Sequence, residues 1–228
     1  MKLIFIHGSG GCKESWQFQT EYFIDSEAIN LPGHPDGELC SSIAEYAAWV
    51  HDYIQSNGYQ DVVLIGHSLG GGIVLQYALD YPANLAGIIT IGSGARLRVH
   101  PDALNVVERA IEEPALMEAI TGKAYDQVDS SLAELIRQRD VENSPKSFLN
   151  DLKACDNFDV MDRLGEISIP LLAIAGDQDV MTPPKYSTFL ADNVAGATSV
   201  VISGGTHFVY TEKPVEVNQA IDTFINSL

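Results

Sequence analysis

Apolar residues along this 228-residue chain gather in short uninterrupted runs that alternate with amphipathic stretches. Runs such as Leu3-Ile4-Phe5-Ile6, Val62-Val63-Leu64-Ile65 and Leu171-Leu172-Ala173-Ile174 are short and lack polar alternation, the pattern of strands buried on both faces. They predict strands near 2–6, 26–30, 61–66, 86–92, 170–175 and 197–202, with helices near 41–56, 69–80, 184–192 and 214–226. Strand and helix in alternation predict an α/β fold, a doubly wound, parallel sheet of about six strands with helices on both faces. From residue 95 to 165 the alternation lapses. Apolar positions there (Val106, Val107, Ala110 and Ile111, then Leu132, Leu135 and Ile136, then Phe148, Leu149 and Leu152) keep helical spacing with no strand between them.

The third strand run ends in Gly66-His67-Ser68-Leu69-Gly70, and the helix Leu69 to Leu79 follows at once. A strand that turns into a helix through Gly-x-Ser-x-Gly is a nucleophile elbow, which exposes one serine hydroxyl. Glycine at 66 and 70 removes the Cβ where the backbone doubles back. A serine hydroxyl is a weak nucleophile, so it needs a base that a third group orients. Both partners follow in the order this architecture requires: Gly176-Asp177-Gln178-Asp179 after the strand near 170–175, and Ser203-Gly204-Gly205-Thr206-His207 after the strand near 197–202. Both loops lie beyond C-terminal strand ends, the edge of a parallel sheet where ligands bind.

At these residues the chain resembles the α/β-hydrolase superfamily, in its small serine esterase and lactonase-like branch. The matching pieces are His7-Gly8-Ser9-Gly10, Leu31-Pro32-Gly33-His34, the elbow, Gly176-x-x-Asp179 with Pro183 beyond, and Gly205-x-His207, in order over residues 3 to 214. The resemblance implies Ser68 as nucleophile, Asp179 as the acid (Asp177 is the alternative) and His207 as general base. It also implies an oxyanion hole from the Leu69 N–H and a second N–H after the first strand, that of Ser9, with Gly10 as second choice. It gives the domains as a core of residues 1–94 and 166–228, with residues 95–165 a helical cap shaping the substrate pocket; the alternative is helices that only extend the core. The chain begins at the strand leading into His7, so the family's usual first two strands are expected to be absent, which trims one sheet edge and leaves the catalytic rim intact.

The implied activity is a serine hydrolase cleaving a carboxylic ester-type bond of a small molecule through an acyl-enzyme on Ser68. The same triad serves thioesters, lactones and carbon–carbon bonds, and a non-catalytic binding protein on the same scaffold is the other alternative. Serine at position 68 excludes relatives that need aspartate there, haloalkane dehalogenases and epoxide hydrolases among them. No metal and no organic cofactor is implied. The dinucleotide reading is weak, since Lys13 stands where the third glycine of Gly8-x-Gly10 belongs, and the phosphate-loop reading fails, since Gly72-Ile73 replaces its Lys and Ser/Thr.

Of six histidines, His207 alone combines the order, the glycine spacing and the strand-end position. His67 is expected beneath the elbow, His7 and His34 as loop braces, and His51 on a helix. Arg96 and Arg98, with His100 just beyond, open the insert in a chain poor in cations. They suit either a substrate carboxylate, gripped bidentately, or pairing with local acids.

Charge adds the last constraint. The formal net charge is −18, and no Lys or Arg occurs between Lys13 and Arg96. That predicts a negative surface unsuited to nucleic acid or anionic membranes. No apolar stretch approaches the ~18 residues of a membrane span, and Met1 to His7 is too short to be a signal peptide. Three cysteines at 12, 40 and 155 lack metal-ligand spacing and leave an odd thiol, which suggests a reducing cytoplasm. No oligomeric contact is written in the pattern.

Overall fold

The computed structural model describes residues 1–113, 115–117 and 125–228. Its six strands are β1 (Lys2–Ile6), β2 (Ser26–Ile29), β3 (Val62–His67), β4 (Leu85–Ile91), β5 (Leu171–Gly176) and β6 (Thr198–Ile202). They form one sheet in the order β2-β1-β3-β4-β5-β6, and each neighbouring pair is parallel. This is the predicted doubly wound sheet.

Alternation along each strand divides the core in two. Ile4, Ile6, Leu64 and Ile88 turn to one face, against α2 (Ile43–Ser56) and α3 (Leu69–Asp80). Leu3, Phe5, Val63, Ile65 and Ile89 turn to the other, against Trp16 at the end of a short 3-10 turn, Phe23 just after α1 (Gln17–Tyr22), and α8 (Pro214–Ile225). The central strands are covered on both sides, which is why their sequences run apolar without interruption. Edge strand β6 reads differently: Thr198, Ser199 and Val201 are exposed and only Ile202 is fully buried.

Leu64 is 0% exposed at the middle of β3, so Leu64→Ala is expected to cost ~3 kcal/mol and to lower Tm by roughly 6–12 °C in a chain of this size. Thermal unfolding followed by circular dichroism checks this. A shift under about 2 °C would mean that the core refills the cavity.

Between β4 and β5 lie α4 (Pro101–Ala110) and α5 (Ser130–Asp156), which pack on each other through Val107, Leu149 and Leu152. Part of the 95–165 insert, residues 114 and 118–124, lies outside the described residues. Helix α5 is broken at Ser144 (φ 61, ψ 151), directly before Pro145. Proline lacks the N–H and forces its predecessor out of the helical region, so two helical segments meet there. The first packs on Cys12, Tyr125 and Val128 through Leu132, Ala133 and Ile136. The second sends Ala154 and Cys155 into the main core cluster beside α2 and α3. Three further helices complete the chain: α6 (Lys185–Asn193), α7 (Val209–Glu212) and α8. No described helix is long and apolar enough to cross a membrane.

Candidate active site

Ser68 stands between β3 and α3 with φ 52 and ψ −113. A non-glycine residue seldom takes positive φ, and holding it there costs about 1–3 kcal/mol. The surroundings enforce it. A Cβ at Gly66 would lie 2.1 Å from the Gly70 carbonyl oxygen, and one at Gly70 would lie 2.4 Å from that of Ile6. The Ser68 N–H donates to Ile91 O at 3.0 Å, and Ser93 Oγ donates to Ser68 O at 2.7 Å. Leu69 is the first residue of α3, so its N–H has no acceptor within the helix.

His207 and Asp179 meet across the loops after β6 and β5. His207 Nδ1 donates to Asp179 Oδ2 at 2.9 Å, and both residues are buried. The other carboxylate oxygen of Asp179 accepts the N–H groups of Met181 and Thr182, each at 2.8 Å, and Thr182 Oγ1 donates to Oδ2 at 2.8 Å. Burial by itself raises the Asp179 carboxyl. The His207 hydrogen bond and charge, with the Thr182 donors, outweigh it and hold the group below the usual carboxylate range. Asp177 is exposed and turned elsewhere, accepting from Ser203 Oγ and Gly204 N, so of the two carboxylates it is Asp179 that reaches His207.

Beneath them, His67 donates from Nε2 to the His207 carbonyl at 2.9 Å. Burial, and then the neighbouring His207, lower its pKa well below the ordinary histidine value, so it serves as a neutral brace.

The loop after β1 is tied down atom by atom. Leu31 N donates to His7 Nε2 at 3.1 Å, which leaves His7 Nδ1 protonated to donate to Gly8 O at 2.8 Å. Burial and the adjacent His34 lower the His7 pKa to about 3, which fixes that neutral form. Gly11 N donates to Gly8 O at 3.0 Å, and Gly10 N donates to Asp151 Oδ2 at 2.9 Å. Asn143 Nδ2 donates to the carbonyls of Gly10 and Gly11 at 3.0 and 2.7 Å. The Ser9 N–H has no acceptor among the described residues.

Two cavities adjoin Ser68, and Ser9 and His207 line both. The larger, about 590 Å³, runs under α4 and the second segment of α5, past Leu97, Val107, Leu152, Cys155 and Tyr186. The smaller, about 90 Å³, lies toward Tyr125, Ile136, Phe208 and Tyr210. Phe148, Leu152 and Met181 border both. Among the described residues no group of three or more His, Cys, Asp or Glu is gathered to hold a metal ion.

Arg98 lines the larger cavity, but its guanidinium already donates to Asp156 O and lies 3.9 Å from Asp159. Arg96, 3.7 Å from the same carboxylate, is not among the lining residues. His100 accepts from Asp102 N at the start of α4. Sequence reasoning missed Thr182, Asn143 and Asp151. Asp179-x-x-Thr182 is a local turn pattern that points to Thr182. Asn143 and Asp151 carry no local signal, because their partners lie more than a hundred residues away.

The sequence model of the alpha/beta hydrolase family matches residues 3–220, and this chain belongs to that family. Pimeloyl-[acyl-carrier protein] methyl ester esterase of Vibrio campbellii is 24% identical over 223 residues, covering 90% of this chain and 87% of that protein. Among solved structures, a thermophilic esterase is 30% identical with a TM-score of 0.82, covering 99% of this chain and 90% of its own. A lipase-esterase related protein of Clostridium acetobutylicum is 27% identical with a TM-score of 0.81, covering 98% and 93%. Family and relatives together support hydrolase activity.

Proposed function

We propose that this protein is a serine hydrolase that cleaves a carboxylic ester-type bond of a small molecule through an acyl-enzyme on Ser68. The observation that carries this reading is that His207, paired with buried Asp179, lines the same two cavities as a serine held in a strained elbow. Asp179 keeps a proton on His207 Nδ1, so Nε2 is the free base that takes the Ser68 proton as Oγ attacks the carbonyl. The N–H groups of Leu69 and Ser9 receive the charge that develops on the carbonyl oxygen. His207 returns its proton to the leaving alcohol, and water then releases the acyl group by the same route.

Residues 95–165 act as a helical cap over the site, since α4 and α5 wall the larger cavity. The acyl and alcohol halves of the substrate occupy the two unequal spaces, so one half is small. The ion pairs of Arg96 and Arg98 support the local-acid role over a grip on a substrate carboxylate. Arg98→Ala is accordingly expected to change KM alike for an acidic ester and its neutral isostere. A rise confined to the acidic ester would restore the carboxylate role. Three unpaired thiols, at Cys12, Cys40 and Cys155, fit a reducing compartment such as the cytoplasm.

Turnover of p-nitrophenyl esters from acetate to decanoate tests the reading. Activity that falls away beyond a limiting chain length is expected. No hydrolysis of any ester would move the search to thioesters and lactones, and binding without turnover would make the protein a binder.

A further inference from the structure

Two carboxylates are buried among the described residues, Asp179 at 3% exposure and Asp151 at 0%. The mechanism above uses the first and leaves the second unexplained. A buried carboxylate is costly unless its oxygens are fully engaged. Those of Asp151 are: Oδ2 accepts from Gly10 N at 2.9 Å and from His34 Nε2 at 2.8 Å, and Oδ1 accepts from Tyr46 OH at 2.7 Å. One of its three donors is therefore the backbone N–H next to Ser9.

We propose that Asp151 is a positioning residue for the oxyanion hole, holding the Gly10 N–H away from the reacting carbonyl so that the Ser9 N–H faces it. This rests on the serine-hydrolase reading and extends it to the segment that builds the hole.

The accounting of the loop supports this. Gly10 and Gly11 each have an N–H acceptor within the protein, and Asn143 holds both of their carbonyls. The Gly10–Gly11 peptide plane is held at both ends, by Asn143 at Gly10 O and by Gly8 O at Gly11 N, and Asp151 holds the Ser9–Gly10 plane before it at the Gly10 N–H, so the path of the loop beside Ser9 follows from Asp151 and Asn143 together. Both lie on α5, on either side of its break at Ser144. Gly10 is pressed against the same helix: a Cβ there would lie 2.9 Å from the Phe148 ring, and φ is +63. Helix α5 is itself anchored by Ser147 Oγ, which donates to Gly33 O at 3.1 Å, and by Asn150 Nδ2, which donates to Cys40 O at 2.8 Å. Phe148, Leu152 and Cys155 of the same segment line the larger cavity. One helical segment thus shapes the substrate space and sets the oxyanion donor.

The test compares Asp151→Asn, which keeps one oxygen to accept from Gly10, with Asp151→Leu, which keeps none. Active sites are first counted by end-point labelling of Ser68 with a p-nitrophenyl phosphonate, so misfolded protein does not enter the rates. Per labelled site, Asp151→Leu is expected to lose ~10²–10³ in kcat on p-nitrophenyl butyrate with little change in KM, the cost of one misplaced oxyanion donor. Asp151→Asn should fall between it and the wild type. The affinity for a trifluoromethyl ketone, which mimics the tetrahedral adduct, should fall in parallel. If Asp151→Leu does not fold, Asp151→Asn and Asn143→Ala decide, each with a reduced kcat per site at unchanged KM. Wild-type kcat per site in the folded variants, with only Tm lowered, overturns the positioning role while the hydrolase reading stands. A wild-type protein that neither turns over esters nor takes up the phosphonate overturns the hydrolase reading and the positioning role with it.

Discussion

Ser68→Ala is expected to lose roughly 10⁴-fold or more in ester turnover, because nucleophile, base and acid act as a unit and removing the first disables the others. Alanine keeps the Cβ, so the elbow bears the same strain at φ 52, and Ser68 Oγ has no hydrogen-bond partner among the described residues whose loss would unfold the chain. Tm should stay close to wild type while p-nitrophenyl butyrate hydrolysis, corrected for background, disappears. Ser68→Gly sharpens the test. Glycine takes positive φ without cost, so that variant should be equally inactive yet more stable by about 1 kcal/mol. Stability gained where activity is lost would identify the strain as one maintained for chemistry. Activity within tenfold of wild type in either variant would remove Ser68 from the reaction.

Asp179→Asn should cost about 10⁴-fold in kcat, and the local hydrogen bonds dictate why. Oδ1 accepts two backbone N–H groups, from Met181 and Thr182, so the asparagine must place its carbonyl oxygen there. Its NH₂ group then occupies the position of Oδ2, 2.9 Å from His207 Nδ1. A donor at that point forces Nδ1 to accept and moves the ring proton to Nε2, the nitrogen that must receive the Ser68 proton. The base is present, in the wrong tautomer. Acid stability should change as well. Asp179 has a native carboxyl value below its unfolded one, so its stabilisation is complete above the unfolded value and disappears as pH falls through the lower native one. The asparagine variant lacks that contribution, and its Tm should depend less on pH across that acidic interval. An unchanged kcat would show that His207 is oriented by other groups, Thr182 first among them.

Much of the fold was readable from the chain because the central strands are buried on both faces, and double burial writes itself as unbroken apolar runs. The four central strands follow from those runs and the parallel sheet from the helical crossovers, whereas edge strands β2 and β6 are only partly buried and carry Ser26, Glu27, Thr198 and Ser199. The 3-10 turn and α1 over Lys13–Tyr22 were not foreseen, since Trp16 and Gln19 are their fully buried contacts and two positions make no period. The break in α5 could have been read from Pro145, which interrupts any helix drawn through it. At the site, the loops that carry Ser68, Asp179 and His207 were legible because strand ends and glycines bracket them. Between Asp177 and Asp179 the resemblance favours Asp179, with two residues of loop register deciding which carboxylate reaches His207. Asp151 was invisible for the opposite reason. It is a single acidic residue in a polar helical stretch, and its meaning depends on Gly10, His34 and Tyr46, all distant in sequence.

The unequal cavities that both adjoin Ser68 have a stereochemical consequence for the proposed reaction. In the proposed ester cleavage, with the carbonyl oxygen directed at fixed donors and the bulkier half of the ester admitted to one space only, a substrate would present just one of its two carbonyl faces to the serine. The tetrahedral adduct then forms with a single handedness, and a racemic ester whose stereocentre bears groups of different size is resolved rather than consumed evenly. With Leu152 and Met181, Phe148 borders both spaces. Trimming it to alanine would let the ester bind in either sense and erode the enantiomeric preference while Ser68, His207 and Asp179 remain in place.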